Sequence, residues 1–250
     1  MSPALSRADP TLVSFQTLNR LRGMQVDNFD SIEMTNLCDL QEFNIRLANS
    51  EGRREAATML LKKMYAWRGY DIEVPKAGEP DCITLTADTG GETVGTMTLC
   101  FDGEAGLPAD HTFREELDIL RGQSKVLCEP SRLAIDKETP VRVLAALWHI
   151  SYIYCHNIHH CTDYIIEVNP RHAMFYKRML GFKEFGAQRI CERVNAPAIL
   201  LRLECAYVKS QVKRFGGLYD KSENERSFYP HCFSSGDEAG IEGRLISGRT

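Results

Sequence analysis

The sequence predicts an α/β (α+β) domain built on one mixed sheet with helices on both faces, and three observations predict it. Segments of strand period alternate with segments of helix period along the chain. The composition, 43% hydrophobic and 26% charged over 250 residues, is that of a soluble domain with a large buried core. The longest apolar run, Val143 to Tyr154, is interrupted by His149 and flanked by Arg142 and His156, well short of the roughly 20 residues a membrane span requires.

The elements follow in order. Phe43 to Ala48 reads as a strand. Ala57, Leu60, Leu61, Met64 and Trp67 then recur at helical spacing, with Gly69 placed to stop the helix. Ile83 to Ala87 and Val94 to Phe101 are strands joined by Asp88-Thr89-Gly90-Gly91, whose glycines supply the positive φ of a tight hairpin. In the second strand Met97, Leu99 and Phe101 alternate with Thr96, Thr98 and Cys100, the pattern of a half-buried strand. A short helix over Phe113 to Leu120 ends at Gly122, and Lys125 to Ile135 forms the next strand. Thr139-Pro140 supplies an N-cap and a first-turn proline for a helix carrying Leu144, Leu147, Trp148, Ser151 and Cys155. Tyr164 to Val168 is a buried strand, Pro170 to Leu180 a helix closed by Gly181, and Ala198 to Cys205 a last strand. This divides the chain into an extension over 1–40, a central domain over 41–214 and a polar, flexible tail over 215–250.

Thirty Lys and Arg against 34 Asp and Glu leave a net charge of −4, which argues against a nucleic-acid binder held by phosphate contacts. The N-terminus lacks a basic region followed by an apolar one, so no secretory signal is read. Nine cysteines, an odd number without a C-x-x-C pair, are expected as reduced thiols in a cytoplasmic protein. His156 and His160 have the i, i+4 spacing of metal ligands, but no acidic partner accompanies them, and no metal is expected. No G-x-S-x-G elbow or P-loop occurs, which leaves hydrolase and NTPase readings unsupported.

The chemistry is carried by two blocks. One strand holds Cys128-Glu129-Pro130-Ser131-Arg132-Leu133. After the long helix comes Ile165-Ile166-Glu167-Val168-Asn169-Pro170-Arg171-His172, then Phe175-Tyr176-Lys177-Arg178-Met179-Leu180-Gly181-Phe182. With Glu116-Leu117-Asp118 and Arg121 before them, these blocks resemble the GNAT acyltransferase superfamily over roughly Phe43 to Cys205. The match is closest to the N-acyl amino acid synthases of the FeeM type, which are similar in turn to the autoinducer (acyl-homoserine lactone) synthases. The resemblance implies a GNAT fold, with a mixed, mostly antiparallel central sheet flanked by helices. It also implies transfer of a long-chain fatty acyl group from acyl carrier protein to the amino group of an amino acid.

One departure bears on the donor. GNAT enzymes place a glycine-rich loop before the central helix, where backbone N–H groups hold the pyrophosphate of coenzyme A. Here Asp136 to Val141 contains no glycine, and Pro140 removes a donor. That argues against a tight pyrophosphate site; the resembled branch implies the acyl-phosphopantetheine of acyl carrier protein as donor, with acyl-CoA the alternative and no tightly bound cofactor. The carrier is acidic, so its dock should be basic. Arg171, Lys177 and Arg178 are the candidates, against the plain reading of a solvated charged face.

Amide formation from a thioester needs a proton acceptor for the amine, donors for the oxyanion and a path for the thiolate. Glu129 and Arg132 look like the Glu-x-x-Arg of the autoinducer synthases and are the catalytic candidates, with Arg132 alternatively binding an acceptor carboxylate. The competing reading is a structural ion pair. Residues three apart on a strand point to opposite faces, so both serve one site only if the strand bulges, a break that Pro130 favours. Asn169 is expected at the pantetheine amide or as a helix N-cap. Tyr176 is expected at the leaving thiolate or packed against the sheet. Cys128, beside a carboxylate, is expected to pack rather than attack. Trp67, Met97, Phe101 and Trp148 are the candidate lining of the acyl pocket. Three other readings remain: an autoinducer synthase, an acyl-CoA-dependent N-acyltransferase, and a non-enzymatic carrier-protein sensor.

Overall fold

The computed structural model describes residues 11–18, 40–66, 81–219 and 225–247. Trp67 and the expected helix stop at Gly69 lie outside them. The elements run β1 (Thr11–Leu18), β2 (Leu40–Leu47), α1 (Glu51–Ala66), β3 (Cys82–Thr89), β4 (Glu92–Phe101), α2 (Asp110–Gly122), β5 (Leu127–Ile135) and α3 (Val141–Tyr152), which continues into a π-helical stretch, Ile153–Ile158. They go on with β6 (Asp163–Val168), α4 (Pro170–Leu180), β7 (Lys183–Glu184), β8 (Arg189–Cys191), β9 (Ala196–Glu204), α5 (Cys205–Phe215) and α6 (Ser235–Ser247).

The sheet order is β1-β2-β3-β4-β5-β6-β9-β7, with β8 on β9. Among the described residues only β5 and β6 pair in parallel; every other pairing is antiparallel. The mixed, mostly antiparallel sheet expected from the sequence is thus present. One face packs on α3, α4 and α5 through Met97, Leu99, Cys128, Tyr164 and Ile166. The other face meets α2 through Cys100, Leu127, Ile165 and Leu200, and meets α1 through Ala134. Helices on both faces explain why β4 is buried through Thr96, Thr98 and Cys100 as well as Met97 and Leu99, rather than half-buried as its alternation predicts.

Two local irregularities shape the centre. The β5–β6 ladder holds only at Leu127–Asp163 and Cys128–Tyr164, after which Pro130 has no N–H to offer either neighbour. On the β4 side the register jumps from Thr98–Ser131 to Thr96–Ala134, so Arg132 and Leu133 together face Met97. Arg132 takes up the extra residue at φ 49°. A bulge is therefore present between Glu129 and Arg132, the condition on which the two could share a site.

Four expectations are corrected. The stretch after Phe215 is no polar, flexible tail over the described residues. Phe228, Tyr229, Cys232, Phe233, Ile241 and Leu245 are buried, Tyr229 donates to the Leu180 carbonyl at 2.6 Å, and Arg244 reaches the Leu12 carbonyl of β1. A few apolar residues suffice because they all fall on one contact face. At the other end β1 lies inside the expected extension, paired to β2. Cys82 and Cys100, opposite each other on β3 and β4, form a disulfide; the six other described cysteines are free and buried. The N-cap of α3 is Pro140 itself, and Thr139 makes no capping bond to it.

Candidate active site

Glu129 lies on the α2 face of β5, opposite Cys100, and is only 3% exposed. Its Oε2 accepts the Ala109 N–H at 2.7 Å, and its other oxygen accepts no hydrogen bond from the described residues. Burial pushes the carboxyl up to about 8; the Ala109 N–H and the Arg193 charge oppose that rise, while Glu167 and Asp110 add to it. A side chain that exchanges its proton near neutral pH is therefore held at the point where β5 and β6 part.

The Ala109 donor is fixed by a clamp. Arg121 gives two hydrogen bonds to Asp102, after the end of β4, two to Asp110, at the start of α2, and one to Asp118. Asp110 also accepts the Leu107 N–H at 2.7 Å. Burial would raise the Asp110 carboxyl, but the bonds from Arg121 and Leu107 hold it below the usual carboxylate range. The clamp therefore stays charged, and the first turn of α2 stays against Glu129.

Beside Glu129, Glu167 stands near the end of β6 with its side chain 5% exposed. Its Oε1 accepts from the Thr112 hydroxyl at 2.9 Å, and its Oε2 accepts from Arg193 at 2.5 Å. Arg193 comes from the turn between β8 and β9. None of Ala109, Thr112, Glu167 and Arg193 was a candidate from the sequence. The signal available was Glu167, a charge placed inside an otherwise apolar strand.

The other candidates are distributed as follows. Arg132 occupies the bulge, and the arginine whose charge acts on Glu129 is Arg193. Asn169 caps α4, its Oδ1 accepting the Arg171 N–H at 3.2 Å. Tyr176 packs edge-on to Trp148 and Phe182. Cys128 is fully buried, and burial pushes its thiol well up, as a packing role requires. On α4, Arg171 and Arg178 are exposed, whereas Lys177 pairs with Glu184 at 2.8 Å.

Met97 is fully buried, and Phe101 is half-buried with the His159 ring stacked on it at 4.0 Å. Trp148 lines a cavity of about 20 Å³ together with His149, Tyr152, Tyr164 and Tyr229. That is room for one water; Trp148 Nε1 and Tyr152 Oη have no hydrogen-bond partner among the described residues, and His149 Nε2 stands 3.7 Å from Glu238 Oε2. His156 bonds the Cys161 carbonyl. Among the described residues no group of three or more His, Cys, Asp or Glu is arranged to hold a metal, and no helix is long and apolar enough to cross a membrane.

A mostly antiparallel sheet with helices on both faces, whose one parallel pair separates beside a buried carboxyl, is the architecture of a GNAT-fold acyltransferase. Residues 56–204 match the family described as N-acyl amino acid synthase FeeM, and the chain belongs to that family. The solved structure of FeeM, an N-acyl amino acid synthase from uncultured soil microbes, matches with a TM-score of 0.62 at 28% identity, over 68% of this chain and 94% of that one. An N-acetyltransferase from Staphylococcus aureus Mu50 matches at 0.48 and 10% identity, over 66% and 98%. The AHL synthase LasI matches at 0.47 and 16%, over 65% and 90%. No curated protein matches.

Proposed function

We propose that this acyltransferase moves a long-chain acyl group from acyl carrier protein to the amine of an amino acid. The observation that carries this reading is Glu129, a nearly buried carboxyl with one oxygen fixed by a backbone N–H and the other unengaged, beside the open end of β5 and β6. The amine nitrogen attacks the thioester carbonyl and forms the C–N bond. Glu129 takes the amine proton, and the tetrahedral intermediate collapses by breaking the C–S bond. The thiolate leaves on the pantetheine arm and takes a proton from solvent or from a side chain such as Tyr176. Asn169, which caps α4 through its Oδ1, is the proposed neighbour of the pantetheine amide.

Two features support the carrier protein as donor. The loop before α3 has no glycine, and its last residue before the helix, Pro140, has no N–H, so it makes a poor pyrophosphate cradle. Arg171 and Arg178 project from α4 as a basic surface suited to an acidic partner. Mass spectrometry of reactions containing long-chain acyl carrier proteins or the matching acyl-CoAs, with the twenty amino acids, tests the reading. The expected product is an N-acyl amino acid made from the carrier and lost in Glu129→Gln. Product from acyl-CoA alone would overturn the donor, and a lactone or no amide at all would overturn the reaction.

A further inference from the structure

We infer that Arg193 anchors the carboxylate of the acceptor, a role that rests on the amino-acid acceptor proposed above. Arg193 stands in the four-residue turn 192–195 between β8 and β9, a turn tightened by Asn195 at φ 46°. The turn projects the guanidinium back to the end of β6. There it spends only Nη2, on Glu167; Nε and Nη1 have no partner among the described residues, and the side chain is 42% exposed. Half of a planar fork is thus held rigidly while the other half faces solvent, the disposition that receives a carboxylate.

Of the neighbouring arginines two are committed elsewhere, while Arg114, which also lines the cleft beside Thr112, is a second cation near the site. Arg121 is saturated by three aspartates, and Arg189 is spent on Glu116 and the Thr112 carbonyl. Glu167 is itself fixed by Thr112, so it positions Arg193 without turning. An α-amino acid carries its carboxylate one carbon from its amine, so the anchor must stand beside the proton acceptor. Arg193 and Glu129 meet this condition across Glu167. Thr112, which bonds Glu167, also lines an open cleft of about 220 Å³ together with Asp110, His111, Arg114, Glu115 and Arg189, large enough for an amino acid. A primary amine without a carboxylate would leave the free half of the fork unused.

The test compares the twenty amino acids with their primary amides as acceptors, for the wild type, Arg193→Gln and Arg193→Lys. The wild type is expected to prefer the acid over the amide by roughly 10- to 100-fold in kcat/KM, the worth of a charge-assisted bond. Arg193→Gln should lose that preference through a raised acceptor KM while the donor KM stays within about twofold, and Arg193→Lys should keep part of it. Equal loss for acid and amide, or a wild type indifferent to the carboxylate, would overturn the anchor; the second of these needs no variant to fold. Acylation of no amino acid or amide by the wild type would instead overturn the amino-acid reading on which the anchor rests.

Discussion

As the proposed base, Glu129 ties activity to stability, and the two are expected to respond to pH in opposite directions. The folded chain keeps this proton up to about pH 8, whereas an ordinary glutamate releases it near 4.5. The proposed base acts when deprotonated, so kcat/KM is expected to rise with pH to a midpoint near 8. Glu129→Gln should lower it by about 10²- to 10⁴-fold, the usual worth of a positioned base. For stability the sign reverses. The folded state binds more protons than the unfolded state between these two pH values, so the contribution present below pH 4.5 is lost as pH rises through about 8. The loss is bounded by something on the order of 5 kcal/mol. Urea titrations of both proteins should show the wild type losing ground to Glu129→Gln from pH 5 to pH 8. Parallel curves would mean that Glu129 is already ionised in the folded protein at pH 5.

At the scale of elements, the bulge in β5 and the exposed side of α4 each carry a prediction. A non-glycine residue in the left-handed region is strained by roughly 1–2 kcal/mol, and Arg132 sits there at φ 49°. Arg132→Gly should therefore unfold at higher urea than Arg132→Ala, by about 1 kcal/mol, while both lose activity alike if the guanidinium acts in the site. Equal stability of the two would show that the bulge relaxes without strain. On α4, Arg171→Glu and Arg178→Glu should raise the KM for the acylated carrier much more than that for the amino acid, with the effect shrinking at high salt. Lys177→Glu should do less, because Lys177 is already paired with Glu184. Loss of affinity for both substrates together would sink the docking role.

The same elements show what was legible in the sequence. The break in β5 was signalled by Pro130, and a bulge was the condition for Glu129 and Arg132 to share a site; α4 from Pro170 to its Gly181 stop was written in local signals at both ends. The partners of Glu129 were not legible. Ala109 acts through a backbone N–H, which no side chain announces, and Arg193 arrives from a turn more than sixty residues later in the chain. Buried β4 read as half-buried because alternation reports polarity, and Thr96 and Thr98 are polar residues placed inside.

For the molecule as a whole, the two faces of the sheet divide the work, and the C-terminal segment belongs to the face opposite Glu129. Phe233 is buried among Phe15 of β1 and the His149 ring of α3. Its N–H donates to His149 Nδ1 at 3.0 Å. Glu238, held below the usual carboxylate range chiefly by His149, also accepts from Asn157. The first strand, the central helix and the last helix are therefore locked together through one aromatic residue. Phe233→Ala is expected to cost about 3–5 kcal/mol, a buried ring lost with a cavity left behind, which in a chain of this size lowers Tm by roughly 6–20 °C. Since this lock and Glu129 lie on opposite sides of a nine-stranded sheet, kcat/KM at 20 °C should stay within about threefold of wild type. Calorimetry and steady-state kinetics on the same preparation separate the two quantities. A Tm loss with activity intact would make the C-terminal segment a brace for the fold. A fall in kcat/KM well below the melting range would show that the Phe233 lock also positions the proposed thiolate side of the site, through Trp148 and Tyr176.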